Sequence, residues 1–591
     1  MELLAAKLLV RSLLGRLEQK PTFFELPSGR VSSDEVTALH VLCDDAPDSA
    51  TAPKHLAVSS KPPIKLSDAA FKRKGPARER LRICLDFGTA MSKAWATGES
   101  AAETLPLLIG KPAGIGDTLA VPSSIYIGDN GRIFLGSDAE KQHRANLRPN
   151  RARFNNLKRL LSEEQVGTDL SSLPVLPGVD PTDSGLTRGD LLVLYLAWLT
   201  DLSEKALTEA YAVSELGKTA PDSLRAVARR FAIPCFESAD DDQSGGKQRA
   251  EWVKALMEDA LLRAQILADT LTDRWKGLEA KELAEIMQQL RHVDVSPLRD
   301  LLTADAAIRE PIAAGASRFD SAFGEVDEPS AIPRRRLLLV VDAGAGTTDL
   351  ALFQAITPRG KTETHYALLR HSVRMNRIAG NAVDAVLRKI VLRSCDIDPY
   401  TGYPRSKEDF DYMQSDLDSQ IRDIKQVLFE TGTVKVELKP NLQGVVDVTS
   451  LQEDPDFAKF QADLIEARRN TLANSFSADA LASLQNAGTQ IVHVLLTGGS
   501  SKLPIMRALA SGRENVSGAV FEFRPLDHLP GWIETLPREA AERLSTVYPQ
   551  CAVAIGGSVA DLPVEINDLD SAIAGPRAGE RRLERFPTQG V

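Results

Sequence analysis

The chain has 591 residues, which at about 100 to 200 residues per domain predicts several lobes with cores large enough to need no disulfide staples. Hydrophobic residues make up 43% and charged residues 26%, as in soluble globular chains, while aromatics at 5% leave little material for base-stacking platforms. The 71 Lys and Arg against 81 Asp and Glu give a net charge of −10, which repels phosphate backbones and anionic lipid, so nucleic acid is not an expected partner.

Residues 2–19 carry Leu3, Leu4, Leu8, Val10, Leu13, Leu14 and Leu17 at mostly helical spacing, the pattern of an amphipathic helix with one apolar stripe. Glu2, Lys7 and Arg11 interrupt the run, so neither a secretory leader nor a membrane span of about 18 to 20 apolar residues is expected. This N-terminal extension, 1–43, packs on the chain's own globule, docks a protein partner or lies on a membrane surface. From Asp44 to Arg80, Pro, Ser, Ala, Lys and Arg replace periodic apolar residues, which reads as a flexible linker, 44–80, ending in a short basic run from Phe71 to Arg80. Cys43, Cys84, Cys235, Cys395 and Cys551 are odd in number and widely spaced, with no C-x-x-C pair, which fits a reducing cytoplasm. His143, His292, His365, His371 and His493 are isolated, with no pair at metal-ligand spacing.

From Leu81 the texture alternates strands and helices, the mark of an α/β architecture. Apolar strand-like runs at Leu81–Asp86, Leu337–Asp342 and Ile491–Thr497 each end in a Gly-rich turn. Helical stretches over Trp252–Asp273, Glu279–Leu290, Asp416–Phe429 and Phe457–Gln485 lie between them. The residues from Pro563, 563–591, are rich in Pro, Gly and charge and read as a frayed tail.

The first turn, Asp86-Phe-Gly88-Thr89, joins two strand-like runs. A hairpin tip with a carboxylate, a residue without a side chain and a hydroxyl brings backbone N–H groups against a phosphate, while Asp86 holds the hydration shell of Mg²⁺. The second turn, Asp342-Ala-Gly344-Ala345-Gly346-Thr347-Thr-Asp349, repeats that chemistry, and the pair can close on one polyphosphate as in an internally duplicated fold. It is not a dinucleotide fingerprint, because its sixth position is Asp349 and strand rather than helix follows. No P-loop is present either: Gly217-Lys218-Thr219 has Ala212 where the first glycine must stand. The third element, Thr497-Gly498-Gly499-Ser500-Ser-Lys502, ends a strand in paired glycines before a helix, a shelf on which a flat ligand meets bare backbone.

In this order the segments resemble the nucleotide-binding domain of the actin, hexokinase and heat shock protein 70 superfamily, and most closely the DnaK-type chaperones, over about Leu81 to Leu562. Val121-Pro-Ser-Ser-Ile-Tyr-Ile, Gly136-Ser-Asp-Ala and Asn155-Asn-Leu-Lys158-Arg159 are similar to the stretch leading to the chaperones' catalytic lysine. Phe231-Ala-Ile-Pro-Cys-Phe is similar to their Val-Pro-Ala-Tyr-Phe strand. Glu310-Pro311-Ile-Ala-Ala-Gly and Ala552-Val-Ala-Ile-Gly556-Gly557-Ser resemble their two connecting helices. The resemblance implies a two-lobed actin-like ATPase of duplicated ribonuclease H-like units with helical insertions. Lobe I would span 81–335, with an insertion at about 240–305, and lobe II 336–562.

Carried over residue by residue, the resemblance implies that Thr89 and Thr347 bracket the γ-phosphate with the amides of Gly88, Gly344, Ala345 and Gly346. Asp86, Asp342 and Asp349 would hold Mg²⁺ mostly through water. Asp342 would orient the nucleophile, Lys158 would neutralise the transferring phosphoryl group, and Glu310 would hold bridging water. Gly380, Asp384, Lys425, Gly498, Gly499, Ser500 and Lys502 fall where adenosine is held. Phosphoryl transfer depends mainly on positioning and charge neutralisation, so the scheme is physically coherent.

Departures qualify the likeness. Ala345 replaces a glycine, tolerable if its φ stays negative. Gln426 stands where the chaperones place a base-stacking arginine and Arg422 where they place an acid; losing a stack of about 0.5 to 2 kcal/mol predicts looser ATP binding. The sequence stops at Val591, so no peptide-binding sandwich or lid is expected after Gly557. The expected activity is slow ATP hydrolysis driving a conformational switch for a protein partner, held through the N-terminal helix or the helical insertion. An actin-like filament protein and a sugar kinase of the hexokinase type share the phosphate turns and remain alternatives, as does a nucleotide-sensing scaffold that never hydrolyses.

Overall fold

The computed structural model describes residues 24–26, 29–31, 64–72, 81–98, 104–110, 119–148, 151–155, 157–213, 228–236, 243–272, 274–319, 322–323, 334–439, 441–536, 538–559, 562–566 and 569. Residues Met1–Pro63 form one compact unit, in which Phe24–Leu26 pairs antiparallel with Gly29–Val31. The amphipathic helix read over 2–19 lies outside the described residues. Everything else belongs to the unit Ile64–Val591, a mixed α/β assembly. No helix among the described residues is long and apolar enough to cross a membrane.

Two sheets organise this unit, and they share one plan. The first contains β1 (Arg82–Asp86), β2 (Met91–Thr97), β3 (Thr104–Pro106), β4 (Ala228–Ile233) and β5 (Leu302–Arg309), in the order β5-β4-β1-β2-β3. The second contains β6 (Arg334–Ala343), β7 (Thr348–Thr357), β8 (His365–Leu369), β9 (Gln490–Thr497) and β10 (Ala519–Pro525), in the order β10-β9-β6-β7-β8. In each, three antiparallel strands form a meander, and two later strands add in parallel beside the first. Parallel neighbours need long crossovers, and these carry the helices. The run Leu337-Leu-Leu-Val-Val is buried throughout because both faces of β6 are covered.

The crossovers place the helices α1 (Gly136–Ala145), α2 (Arg188–Val213), α3 (Gln243–Leu271) and α4 (Ala280–Arg291) with the first sheet. The second sheet carries α6 (Gly380–Ser394), α7 (Lys407–Thr431) and α8 (Pro455–Ser475). The insertion expected near 240–305 is α3, α4 and the turn Ser296–Leu301. Its apolar stripes, including Val253, Met257, Leu261, Leu267, Leu283 and Ile286, merge with Leu191, Leu194 and Leu199 of α2 in one core. The stretch read as one helix over Phe457–Gln485 breaks at Phe476, where Ser477 caps a new helix, Ala478–Asn486, by accepting from Ala480 N–H.

After the last parallel strand of each sheet comes a helix, α5 (Glu310–Ala316) and α9 (Arg538–Ser558), and the two cross. A Cβ at Gly556 would lie 1.7 Å from Ala313 O, so only glycine lets the helices approach this closely. α9 packs on β1 and β2 of the first sheet, and α5 packs on β6 and β7 of the second, so each half is closed by the other's helix.

Two segment boundaries differ from the sequence reading. The linker drawn over 44–80 contains a docked stretch: Ile64 and Ala70 are buried, and Ser67 N–H donates to Thr270 Oγ1 at 3.0 Å. Two apolar residues and a backbone bond suffice to seat it on α3. The tail drawn from Pro563 begins instead with a strand, Val564–Ile566, parallel to β8, because β8 offers an open edge whose N–H and C=O groups need partners.

Candidate functional site

The site grows from the tips of two equivalent hairpins. β1 and β2 pair with Asp86 opposite Lys93; β6 and β7 pair with Asp342 opposite Asp349. In the first tip a Cβ at Gly88 would sit 2.1 Å from Met91 O, so the turn is too tight for any side chain there. Ser123 Oγ donates to Gly88 O at 2.7 Å, which fixes the turn from the Val121-Pro-Ser stretch. In the second tip Gly344 N–H donates to Thr347 O at 2.9 Å. Ala345 is not among the residues with positive φ, so its methyl costs no backbone strain. The tips meet: a Cβ at Gly346 would lie 2.9 Å from Thr89 Oγ1. Turns from separate sheets, far apart in sequence, face each other at contact distance.

Carboxylates and lysines gather beneath these tips. Glu310, in the first turn of α5, and Asp342 and Asp349 place carboxylate oxygens within 4.8 Å of one another, all three residues buried. Lys158, preceding the short helix Arg159–Glu163, is 5% exposed and forms an ion pair with Glu310. Burial pulls the Lys158 ammonium below its ordinary range, and Asp86, Asp349 and Asp342 oppose that pull. Burial pushes the Asp342 carboxyl up to about 6; the hydroxyl of Thr497, donating to Oδ1 at 2.8 Å, opposes the shift and Asp86 adds to it. Asp349 is pushed up to about 7, first by burial and then by Asp342, against the Thr347 hydroxyl at 2.7 Å and Cys235 N–H at 3.3 Å. Two carboxylates facing each other across a ladder in a dry site cannot both ionise at low cost.

The glycine shelf docks on the second tip. Gly498 has φ +84°, and a Cβ there would lie 2.3 Å from Ala343 O, so both conformation and space demand glycine. Ser500 N–H donates to Ala343 O at 2.8 Å and Ser500 Oγ to Gly344 O at 2.9 Å. From α6, Gly380 N–H reaches Gly344 O at 3.3 Å and Asn381 N–H reaches Ala345 O at 2.7 Å. Lys425 of α7 pairs with Asp384 of α6 at 2.6 Å and reaches Gly380 O at 3.4 Å. The structure thus joins Gly498, Ser500, Gly380, Asp384 and Lys425 to the Gly344–Gly346 turn. Gly499 and Lys502 are solvent-exposed, and neither makes a side-chain contact within this group. Gln426 is exposed and donates to Glu430 at 2.9 Å, while Arg422 faces Glu140 of α1 at 3.6 Å.

Three participants escaped the sequence reading. Lys93 is half-buried, its Nζ 3.1 Å from Asp86 Oδ2; burial alone would depress it, but Asp86 and other nearby anions lift it above the ordinary range. The signal was present, since Lys93 follows Asp86 at the same spacing by which Asp349 follows Asp342. Thr497, the last residue of β9, holds Asp342, and Cys235, two residues past the end of β4, holds Asp349; only the tertiary fold brings them there. No family model and no curated protein matches the chain.

Proposed function

We propose that the chain is a nucleotide switch of the actin-like ATPase fold, related to the heat shock protein 70 nucleotide-binding domain, that binds ATP and hydrolyses it slowly. The reading is supported by the close approach of Thr89 to Gly346, which brings the two Gly-hydroxyl turns face to face. The shared strand order of the two sheets and the crossing of α5 with α9 support the same fold.

The donor set fits a hard divalent cation. Asp86, Glu310, Asp342 and Asp349 bring four carboxylates against Lys93 and Lys158, leaving two negative charges when all are ionised, and oxygen donors suit Mg²⁺. Glu310, Asp342 and Asp349, whose carboxylate oxygens lie within 4.8 Å of one another, are the residues that would hold it. A bound Mg²⁺ would neutralise charge on the phosphate oxygens.

In this scheme the amides of the two tips and the hydroxyls of Thr89 and Thr347 orient the triphosphate. Lys158 offsets negative charge on the γ-phosphoryl oxygens, and the water oxygen bonds to phosphorus as the bond to the β–γ bridging oxygen breaks. Asp342, lifted toward neutrality by burial, accepts the water proton more readily than an exposed aspartate would. The products are ADP and inorganic phosphate. Between the two halves, Arg144 of α1 donates to Ser419 O of α7 at 2.6 Å and pairs with Asp423 at 3.0 Å. Exposed pairs of this kind contribute about 0 to 1 kcal/mol, a clasp weak enough to open for nucleotide exchange. Opening and closing would then bias which surface meets a protein partner.

The test is phosphate release from ATP by the purified chain, with and without a sugar panel. The reading expects slow release to water, abolished in Lys158→Ala while nucleotide binding persists. Release that requires a sugar would transfer the case to a kinase, and nucleotide-dependent pelleting to a filament protein.

A further inference from the structure

The second sheet also carries a basic pocket of about 500 Å³, within the size range of small-molecule sites. It opens over the row in which His493 of β9 lies between Leu338 of β6 and Arg524 of β10. Phe323, beyond the end of α5, forms one wall, and its ring stacks with Tyr366 at 6.2 Å between centroids and 7° between planes. That pairing fixes the wall in advance. Arg336 lays its guanidinium over the Phe323 ring, 4.3 Å from the centroid, and donates to Phe323 O at 3.2 Å. His493 meets the same ring edge-on at 5.0 Å. His528 completes the lining.

Every ionisable group lining this pocket is basic. Among the described residues no carboxylate pairs with Arg336, and its Nε is buried without a hydrogen-bond partner. Arg524 shares Glu522 with Arg513, a trio of net charge +1. His493 is held below the ordinary imidazole range by burial and then by Arg336, Arg524 and His528, all of one sign. The next acids along the chain from Phe323, namely Glu325, Asp327 and Glu328, lie outside the described residues. Among the described residues, Arg336 and the Arg524 trio together carry two positive charges that no carboxylate lining the pocket meets, before either imidazole is counted; Asp527, beside His528, is exposed and outside the lining.

We propose that this pocket binds a small dianion, of the phosphate-monoester or dicarboxylate class, between the Arg336 guanidinium, the Arg524 side chain and the two imidazoles, on the Phe323 wall. Planar guanidinium forks match both oxyanion geometries, and a dianion balances the charge count. The inference does not depend on ATP binding, because it uses none of the residues of the hairpin tips.

The experiment titrates the full chain, with ¹³C-labelled histidine, with inorganic phosphate and separately with succinate, following the imidazole resonances of His493 and His528 and the heat of binding. Saturable shifts of both resonances are expected with at least one of the two probes, together with a rise in the apparent pKa of His493. Arg336→Met should weaken binding by about tenfold, the usual scale for one charge-assisted contact. Arg524→Met, at an exposed side chain that leaves the fold intact, should weaken it by about threefold or more. Lys158→Ala should leave it unchanged. The proposal is overturned if neither probe moves the two imidazoles, if both arginine variants bind as the parent does, or if Lys158→Ala alone removes binding.

Discussion

The two hairpins occupy matching places in matching sheets, yet they solve the problem of a buried carboxylate in different ways. In the first, Asp86 lies opposite Lys93 and its charge is met within the hairpin. In the second, Asp342 lies opposite Asp349, and both are driven up, to about 6 and about 7. The first tip is electrostatically complete; the second depends on Lys158, brought from elsewhere in the chain, and still leaves charge over. Under the proposed function the difference would give them separate work: a charge-compensated turn to grip phosphate, and a turn with raised carboxyl pKa values to handle protons and a cation.

The sharpest way to break this contrast is to make the first hairpin resemble the second. Lys93→Met leaves Asp86 buried and unpaired, at a cost of about 3 to 5 kcal/mol of stability, read as a fall in the urea midpoint. The double variant Lys93→Met with Asp86→Asn should recover most of it. Next in size is the second hairpin's borrowed charge. Lys158→Ala should lower the hydrolysis rate by about 100-fold or more, the scale for removing one group that stabilises transition-state charge. Retained nucleotide binding in calorimetry would show that the loss lies in turnover.

Relieving the second hairpin should do the opposite to stability. The folded-state pKa of Asp349 lies above its unfolded value, so the folded state increasingly resists ionisation as pH rises from about 4 to 7. Asp349→Asn removes that penalty, and the chain should gain about 1 to 2 kcal/mol at pH 7.5 and little at pH 4, while hydrolysis falls. An unchanged urea midpoint at pH 7.5 would mean that ionising Asp349 carries no cost in the folded chain. The smallest effect concerns His143 of α1, packed edge-on against Tyr126 at 5.8 Å. Burial, then Arg153 and Arg151, holds it below the ordinary imidazole range. The unfolded chain therefore takes up a proton near pH 6.5 that the folded chain resists, and its contribution is lost as pH falls below about 6.5. His143→Gln should flatten that acid slope by under about 1 kcal/mol.

The hairpin tips were legible because their signals are local. Alternating apolar residues run into Asp-x-Gly-hydroxyl turns, and turn chemistry acts over a few residues. Lys158 was legible only through resemblance, since nothing in Asn155-Asn-Leu-Lys158 specifies that a helix beginning at Glu310 will meet it. Lys93 is visible in spacing alone, seven residues after Asp86, and its burial follows from α9 closing over β2. The strand Val564–Ile566 leaves no sequence pattern at all, because three residues beside an open edge need no periodicity of their own. The break at Ser477 was hidden by apolar spacing that continues across it, and the cap, a local hydrogen bond, decided the boundary.

Titration calorimetry of ATP with Mg²⁺ into the parent chain and into Gly346→Val bears most directly on the meeting of the two tips. The parent should give saturable heat for one site per chain, and the variant, whose side chain would collide with Thr89, should give a heat at least tenfold weaker in affinity. Absence of heat from the parent, or equal affinity in the two proteins, would contradict the convergence of both turns on a single triphosphate.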